Sequence, residues 1–166
     1  MTSTIPPVLD MTAGGRAMWF TKTDNRAIFV DNRRENHVLC DGRQYRIDPD
    51  ILADFRGLPF HDDSFHLVVF DPPHLTRLGK NSWLAKKYGR LLPSWHDDIH
   101  AGFTEAFRVL RPGGVLIFKW SEVQIPLAHV LELSPHPPLF GHTGTNPSTY
   151  WMTFLKPIEP QNEELQ

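Results

Sequence analysis

Three aspartates stand where short apolar runs end: Asp10 after Pro7 to Leu9, Asp31 after Ala27 to Val30, and Asp71 after Leu67 to Phe70. The first is followed by Met11-Thr12-Ala13-Gly14-Gly15-Arg16, whose small residues let backbone amides approach a ligand ahead of a helix expected near Ala17. A plain strand-to-helix turn is the alternative for that loop. Asp31 can accept both hydroxyls of a ribose, although strands also end in Asp because Asp favours turns. Arg16 and Met18 break the G-x-G-x-x-G spacing and no G-K-[ST] is present, which disfavours a dinucleotide or a nucleoside triphosphate. Ser82, Ser94 and Ser121 sit in no G-x-S-x-G turn and Cys40 has no paired base, so covalent catalysis has no support. His37 with Cys40, and His96 with His100, come nearest to metal-ligand pairs, but further ligands at convincing spacing are missing and no metal is expected.

The elements that must position these groups follow from the apolar pattern. Pro7 to Leu9, Ala27 to Val30, Leu67 to Phe70 and Val115 to Phe118 are continuous apolar runs, as expected for strands buried on both faces of a parallel sheet. Between the third and fourth, Ile99, Phe103, Ala106, Phe107 and Leu110 recur at spacings of three and four, which predicts an amphipathic helix over His96 to Leu110. Pro112-Gly113-Gly114 stops it before the next strand. Pro138 to His142 and Tyr150 to Lys156 read as two more strands joined by a turn over Thr143 to Ser148, a hairpin-like closure. Alternating strands and helices predict an α/β sheet, mostly parallel with an antiparallel C-terminal strand, that binds ligands beyond the carboxyl ends of its strands.

Read together, L-D-M-T-A-G-G-R (9–16), F-V-D-N (29–32), A-D-F-R-G-L-P-F-H-D-D-S-F-H-L-V-V-F-D-P-P-H (53–74) and E-A-F-R-V-L-R-P-G-G-V-L-I-F-K-W (105–120) resemble the class I S-adenosylmethionine-dependent methyltransferases. The D-P-P-H segment resembles the motif of the N6-adenine and N4-cytosine amino-methyltransferases. The resemblance implies a single-domain Rossmann-like methyltransferase fold over residues 1–157, with 158–166 as a flexible tail. By position it implies that Asp10, Thr12, Ala13 and Gly14 lie against the methionine part of S-adenosylmethionine. Asp31 and Asn32 would then hold the ribose, Asp54 and Phe55 the adenine, and Asp71, Pro72, Pro73 and His74 would face the substrate as the catalytic segment, with Asp71 bordering the cofactor as well. An exocyclic amine is a poor nucleophile because its lone pair is delocalised. An acceptor at Asp71 and the Pro72 carbonyl could bond both amino hydrogens and aim the lone pair at the methyl donor. Two successive prolines keep that segment stiff. His74 stands where the family usually has Tyr, Phe or Trp stacked on the target base, and Arg16 where many relatives have glycine.

Residues 75–93 form a connection longer than usual, with Arg77, Lys80, Lys86, Lys87 and Arg90, no acidic residue, and Trp83 and Tyr88 interleaved; Trp95 follows. Cations among aromatics beside an active centre suit phosphates and unstacked bases, so this lid, with Lys119 on the same rim, is expected to bind a single-stranded or flipped-out base. The alternative is a lid whose cations are solvated or pair with Asp97 and Asp98. Net charge is −2, so a nucleic-acid partner must be held by a local patch.

A chain of 166 residues with 40% hydrophobic and 22% charged residues has room for one ordinary domain and is neither fibrous nor disordered. One cysteine forbids an internal disulfide, and no apolar stretch approaches the roughly 20 residues that span a bilayer, so a cytoplasmic protein without a membrane partner is expected. Oligomeric state is not legible. A methyltransferase acting on adenine N6 is the first reading. Methylation of a small molecule or protein side chain, and a non-catalytic cofactor- or nucleic-acid-binding subunit, are the alternatives.

Overall fold

The computed structural model describes residues 5–39, 41–79, 82–142 and 148–158. Its frame is a seven-stranded sheet of β1 (Val8–Asp10), β2 (Ala27–Asp31), β5 (Ile51–Leu52), β6 (Phe65–Phe70), β7 (Leu110–Ser121), β8 (Phe140–Gly141) and β9 (Thr149–Leu155), in the order β5-β2-β1-β6-β7-β9-β8. β1 pairs in parallel with β2 and β6, and β6 in parallel with β7, so the four apolar runs lie side by side. β9 runs antiparallel to β7, with Lys119 opposite Trp151, and β8 antiparallel to β9. The sheet is mostly parallel with an antiparallel C-terminal edge: the Rossmann-like fold expected.

The long helix is α2 (Trp95–Val109), following the short α1 (Trp83–Tyr88) and preceding α3 (Leu127–Leu131). Ile99, Phe103, Ala106 and Phe107 of α2 are buried with Leu9, Val30, Val68, Phe70, Leu116, Phe118 and Phe154 in one core. Gly102 permits the approach, because a Cβ there would run into the rings of Phe70 and Phe55. Asp97 and Asp98 occupy the first turn and Arg108 the last, as the helix dipole favours.

The helix expected near Ala17 does not form. Residues 11–26 run as successive turns, because Gly14 (φ +50°) and Arg16 (φ +54°) take left-handed backbone that interrupts helical hydrogen bonding. Arg16 is held there by bonds to the Lys22 carbonyl, the Asp48 carbonyl (2.8 Å) and Asp50 (3.0 Å), and its guanidinium lies 3.9 Å from the centre of Phe29. Trp19 folds back over Phe29 and forms a second, smaller core with Ala13 and Ala27. Between β2 and β5 the chain makes a separate antiparallel pair, β3 (Glu35–Val38) and β4 (Gln44–Ile47), which the sequence reading did not anticipate. Cys40, Lys80, most of the 143–148 turn and nearly all of the expected tail lie outside the described residues. Among the described residues no helix is long and apolar enough to cross a membrane.

Candidate active site

Because β1, β2, β6 and β7 run parallel, Asp10, Asp31, Asp71 and Lys119 arrive at the same edge of the sheet. A cavity of about 310 Å³ opens there, lined by Met11 to Gly15, Ala17, Met18, Asp31 to Arg33, Tyr45, Phe55, Asp71 to His74, Lys87, Tyr88 and Lys119. Its position outside the carboxyl ends of parallel strands is where ligands bind on open α/β sheets.

The loop after β1 forms the floor. The Ala13 amide donates to the Val30 carbonyl at 2.8 Å and the Gly14 amide to Asp31 Oδ2 at 2.8 Å, so the loop is drawn across the end of β2. The Arg33 amide donates to the other Asp31 oxygen at 2.9 Å. Arg33 Nε lies 3.4 Å from that same oxygen, so Oδ1 is engaged twice, while Oδ2 accepts one backbone N–H and keeps capacity for a second donor. The Thr12 hydroxyl accepts the Asp71 amide at 2.7 Å and ties this floor to the double-proline corner.

Asp10 is placed differently from what the resemblance implied. It is fully buried, takes the Trp19 Nε1–H at 2.7 Å and the Thr12 amide at 3.2 Å, and has no face on the cavity. Its work is to hold the loop from beneath. Burial pushes its carboxyl up to about 7, against the lowering effect of those two donors. Asp54 also faces away from the cavity, paired with Arg56 at 2.7 Å, while its neighbour Phe55 lines the wall against Phe70. The Arg56 hydrogen bond holds the Asp54 carboxyl below its ordinary range.

The opposite wall carries Asp71, Pro72, Pro73 and His74. Lys119 Nζ donates to Asp71 Oδ2 at 2.7 Å. Burial raises the Asp71 carboxyl above its usual range, and the Lys119 charge opposes the rise. The His74 ring lies 6.0 Å from that of Tyr88 and 6.2 Å from that of Trp120. Burial lowers the imidazole below its ordinary range despite the pull of Asp71 and of the Pro72 backbone, which favours the neutral ring.

The roof is α1, held by the β3–β4 arm. Tyr45 OH donates to the Lys87 carbonyl at 3.0 Å and accepts the Gly15 amide at 3.1 Å; Arg33 Nη1 donates to the Lys86 carbonyl at 3.1 Å. Lys87 and Tyr88 therefore line the cavity, with the Lys87 ammonium 4.9 Å from the centre of Tyr88. Lys86, Trp83 and Arg77 lie outside it and are exposed. Trp95 packs on His96, 3.7 Å between ring centres, away from the cavity. Among the described residues no carboxylate pairs with Arg77, Lys86, Lys87 or Arg90; Asp98 bonds Arg56 and Ser94 instead. The described residues include no cluster of three or more His, Cys, Asp or Glu suited to a metal ion.

Arg33 and Tyr45 are not singled out by the sequence, and Tyr88 enters it only as an aromatic of the lid. The only signal was a tyrosine alternating with polar neighbours in Gln44-Tyr45-Arg46, which becomes informative once the arm is seen to fold over the floor.

No family model matches the sequence, and no curated protein does. Solved structures do. A Pyrococcus horikoshii protein matches with a TM-score of 0.58 at 17% identity, over 91% of this chain and 81% of its own. A structure described as SAM-dependent methyltransferases from Methanosarcina mazei matches with a TM-score of 0.52 at 12% identity, over 92% of each chain. The 1,6-didemethyltoxoflavin-N1-methyltransferase of Burkholderia thailandensis, solved with 1,6-didemethyltoxoflavin and S-adenosylhomocysteine, matches at 0.52 and 14% identity, over 91% of this chain and 71% of its own. What the chain has in common with them is the Rossmann-like methyltransferase fold.

Proposed function

We propose that the chain is an S-adenosylmethionine-dependent methyltransferase that methylates an exocyclic amino group of a nucleic-acid base, adenine N6 first. The observation that carries this reading is that the Asp31-anchored loop and the Asp71-Pro72-Pro73-His74 corner line one and the same cavity.

The residues present fit the cofactor. Asp31 keeps acceptor capacity for ribose hydroxyls, Asn32 stands beside it, and Phe55 offers an apolar face for a purine. Thr12 to Gly14 bring backbone and small side chains to the remaining wall. When bound, S-adenosylmethionine supplies a methyl group on a sulfonium centre, which a nitrogen lone pair displaces in line as the S–C electrons leave with sulfur. The chain's part is positional. Asp71 Oδ1, which takes no donor among the described residues, and the Pro72 carbonyl accept the two amino hydrogens. This localises the lone pair, and the proton shed by the product passes through the same acceptors. His74 supplies a neutral ring face for the base. Lys87, at the cavity wall, and exposed Lys86, Arg77 and Arg90, which pair with no carboxylate among the described residues, supply phosphate contacts.

A second reading, methylation of a small heterocyclic amine, is favoured by one observation: α1 and Tyr45 roof the cavity, which suits a compact acceptor. The Burkholderia enzyme of the same fold was solved with a small heterocycle in hand. Transfer of tritiated methyl groups to DNA, RNA and small-molecule pools separates the two. Label in the nucleic-acid pools, lost in Asp71→Ala while cofactor affinity persists, is the expected outcome. Label confined to small molecules sets the nucleic-acid reading aside, and an active Asp71→Ala contradicts the role of Asp71.

A further inference from the structure

Lys119 was expected on the substrate rim, where a lysine suggests a phosphate contact. Its surroundings give it other work. Lys119 continues β7 just beyond the Phe70–Phe118 pairing of β6 with β7, so it stands beside Asp71 at the ends of adjacent parallel strands. Its ammonium donates to Asp71 Oδ2 at 2.7 Å. On the other side it lies 5.6 Å from the ring centre of Trp151, its partner across the antiparallel β7–β9 pair. Only a quarter of the side chain is exposed. A charge held between a carboxylate and an aromatic face is already engaged, and leaving both to meet a phosphate would strand a largely buried Asp71 without a counter-charge.

We propose that Lys119 is a positioning residue for Asp71: it fixes Oδ2 and leaves Oδ1 as the carboxylate oxygen that serves the substrate amine beside the Pro72 carbonyl. This deepens the amine-methylating reading and rests on it. Of the other charged or titratable groups, His74 on the same corner and Asp10 beneath it on β1 act on Asp71 electrostatically, and Asp31, Arg33, Tyr45, Lys87 and Tyr88 line the same cavity. None of them is hydrogen-bonded to the Asp71 carboxylate. The Asp71 amide, bonded to Thr12, fixes the backbone, so Lys119 alone among the described residues orients the side chain. Trp151 in turn keeps the lysine from swinging out to solvent.

Lys119→Met preserves the stem and removes the charge; Lys119→Arg restores a partner for the carboxylate. In Lys119→Met we expect kcat to fall by roughly 10- to 100-fold, with S-adenosylmethionine affinity and the nucleic-acid KM within about twofold of the parent. The acid limb of the pH–rate profile should move to higher pH, because an unpaired buried carboxyl protonates more readily. Lys119→Arg should recover a large part of kcat. Unchanged kcat overturns the proposal. So does a loss confined to KM with a shallower salt dependence, which would put Lys119 on a phosphate. If the parent enzyme methylates no acceptor, the functional reading fails on its own. Titration of the Asp71 carboxyl by carbon NMR in cofactor-free protein still decides the lysine's role. An upward shift in Lys119→Met supports it, and an unchanged titration overturns it.

Discussion

At the residue scale, the aspartates that end the strands do unlike work. Asp31 and Asp71 face the cavity, while Asp10 is shut beneath it, fully buried and with its carboxyl pushed up to about 7. An unfolded aspartate titrates near 3.9, so between about pH 4 and 7 the native state holds a proton that the unfolded chain has released. Stability contributed by this site therefore falls as pH rises through that window, by up to roughly 1.4 kcal/mol per pH unit, and levels off above it. Burial raises the Asp71 carboxyl too, and adds in the same direction. Asp10→Asn should remove most of this slope in denaturation midpoints measured from pH 4 to 8, whereas a slope equal to that of the parent would contradict the assignment. Arg16 offers a separate test, since its left-handed backbone favours glycine while its side chain braces the loop. Arg16→Ala should cost about 1–3 kcal/mol, and Arg16→Gly about 1 kcal/mol less, because only glycine relieves the backbone. Equal losses by chemical denaturation would mean that the backbone carries no strain.

At the element scale, α1 is a six-residue helix with no buried residue and no side-chain cap, so it owes its place to the arm that grips its last carbonyls. Tyr45→Phe removes the hydroxyl that joins Gly15 to Lys87. S-adenosylmethionine should then dissociate roughly 3- to 10-fold faster, as the loss of a hydrogen bond worth about 0.5–1.5 kcal/mol allows; an unchanged rate by stopped flow would detach Tyr45 from the roof. Neutralising Lys86 and Lys87 together should weaken single-stranded nucleic-acid binding and flatten its log–log salt slope by roughly 0.7 per lysine. An unaltered slope returns both to solvent. These same elements mark where the sequence was hard to read. Four of the five parallel strands were legible because each is a continuous apolar run, whereas the two residues of β5 are too few to show one, and α2 was legible because its buried face repeats at helical spacing. β3 and β4, Glu-Asn-His-Val and Gln-Tyr-Arg-Ile, are largely polar and bury little besides Ile47, so no apolar period announces them. The helix expected after Gly15 failed for a local reason, since left-handed residues at 14 and 16 cannot be seen from a side-chain pattern. Thr12 to Gly14, Asp31 and the double-proline corner fall in motifs whose family resemblance implies one site, whereas Tyr45 lies outside those motifs.

At the scale of the whole molecule, the parallel sheet does what makes a site possible. It brings Asp31 at the end of β2, the loop after β1, Asp71 after β6 and Lys119 on β7 to one edge, from positions as far apart in the sequence as Met11 and Lys119. A rigid frame of this kind would hold a nucleoside and an amine acceptor in fixed relation, the positional part of the catalysis proposed. The central claim, that this edge moves a methyl group from S-adenosylmethionine to a base amine, is tested most directly by incubating the protein with labelled S-adenosylmethionine and nucleic acid, digesting to nucleosides and weighing the products. An N6-methylated adenine nucleoside that disappears with Asp71→Ala is the result the account predicts. Intact, unmethylated nucleosides from DNA and RNA alike, with the cofactor shown to be bound, would contradict it.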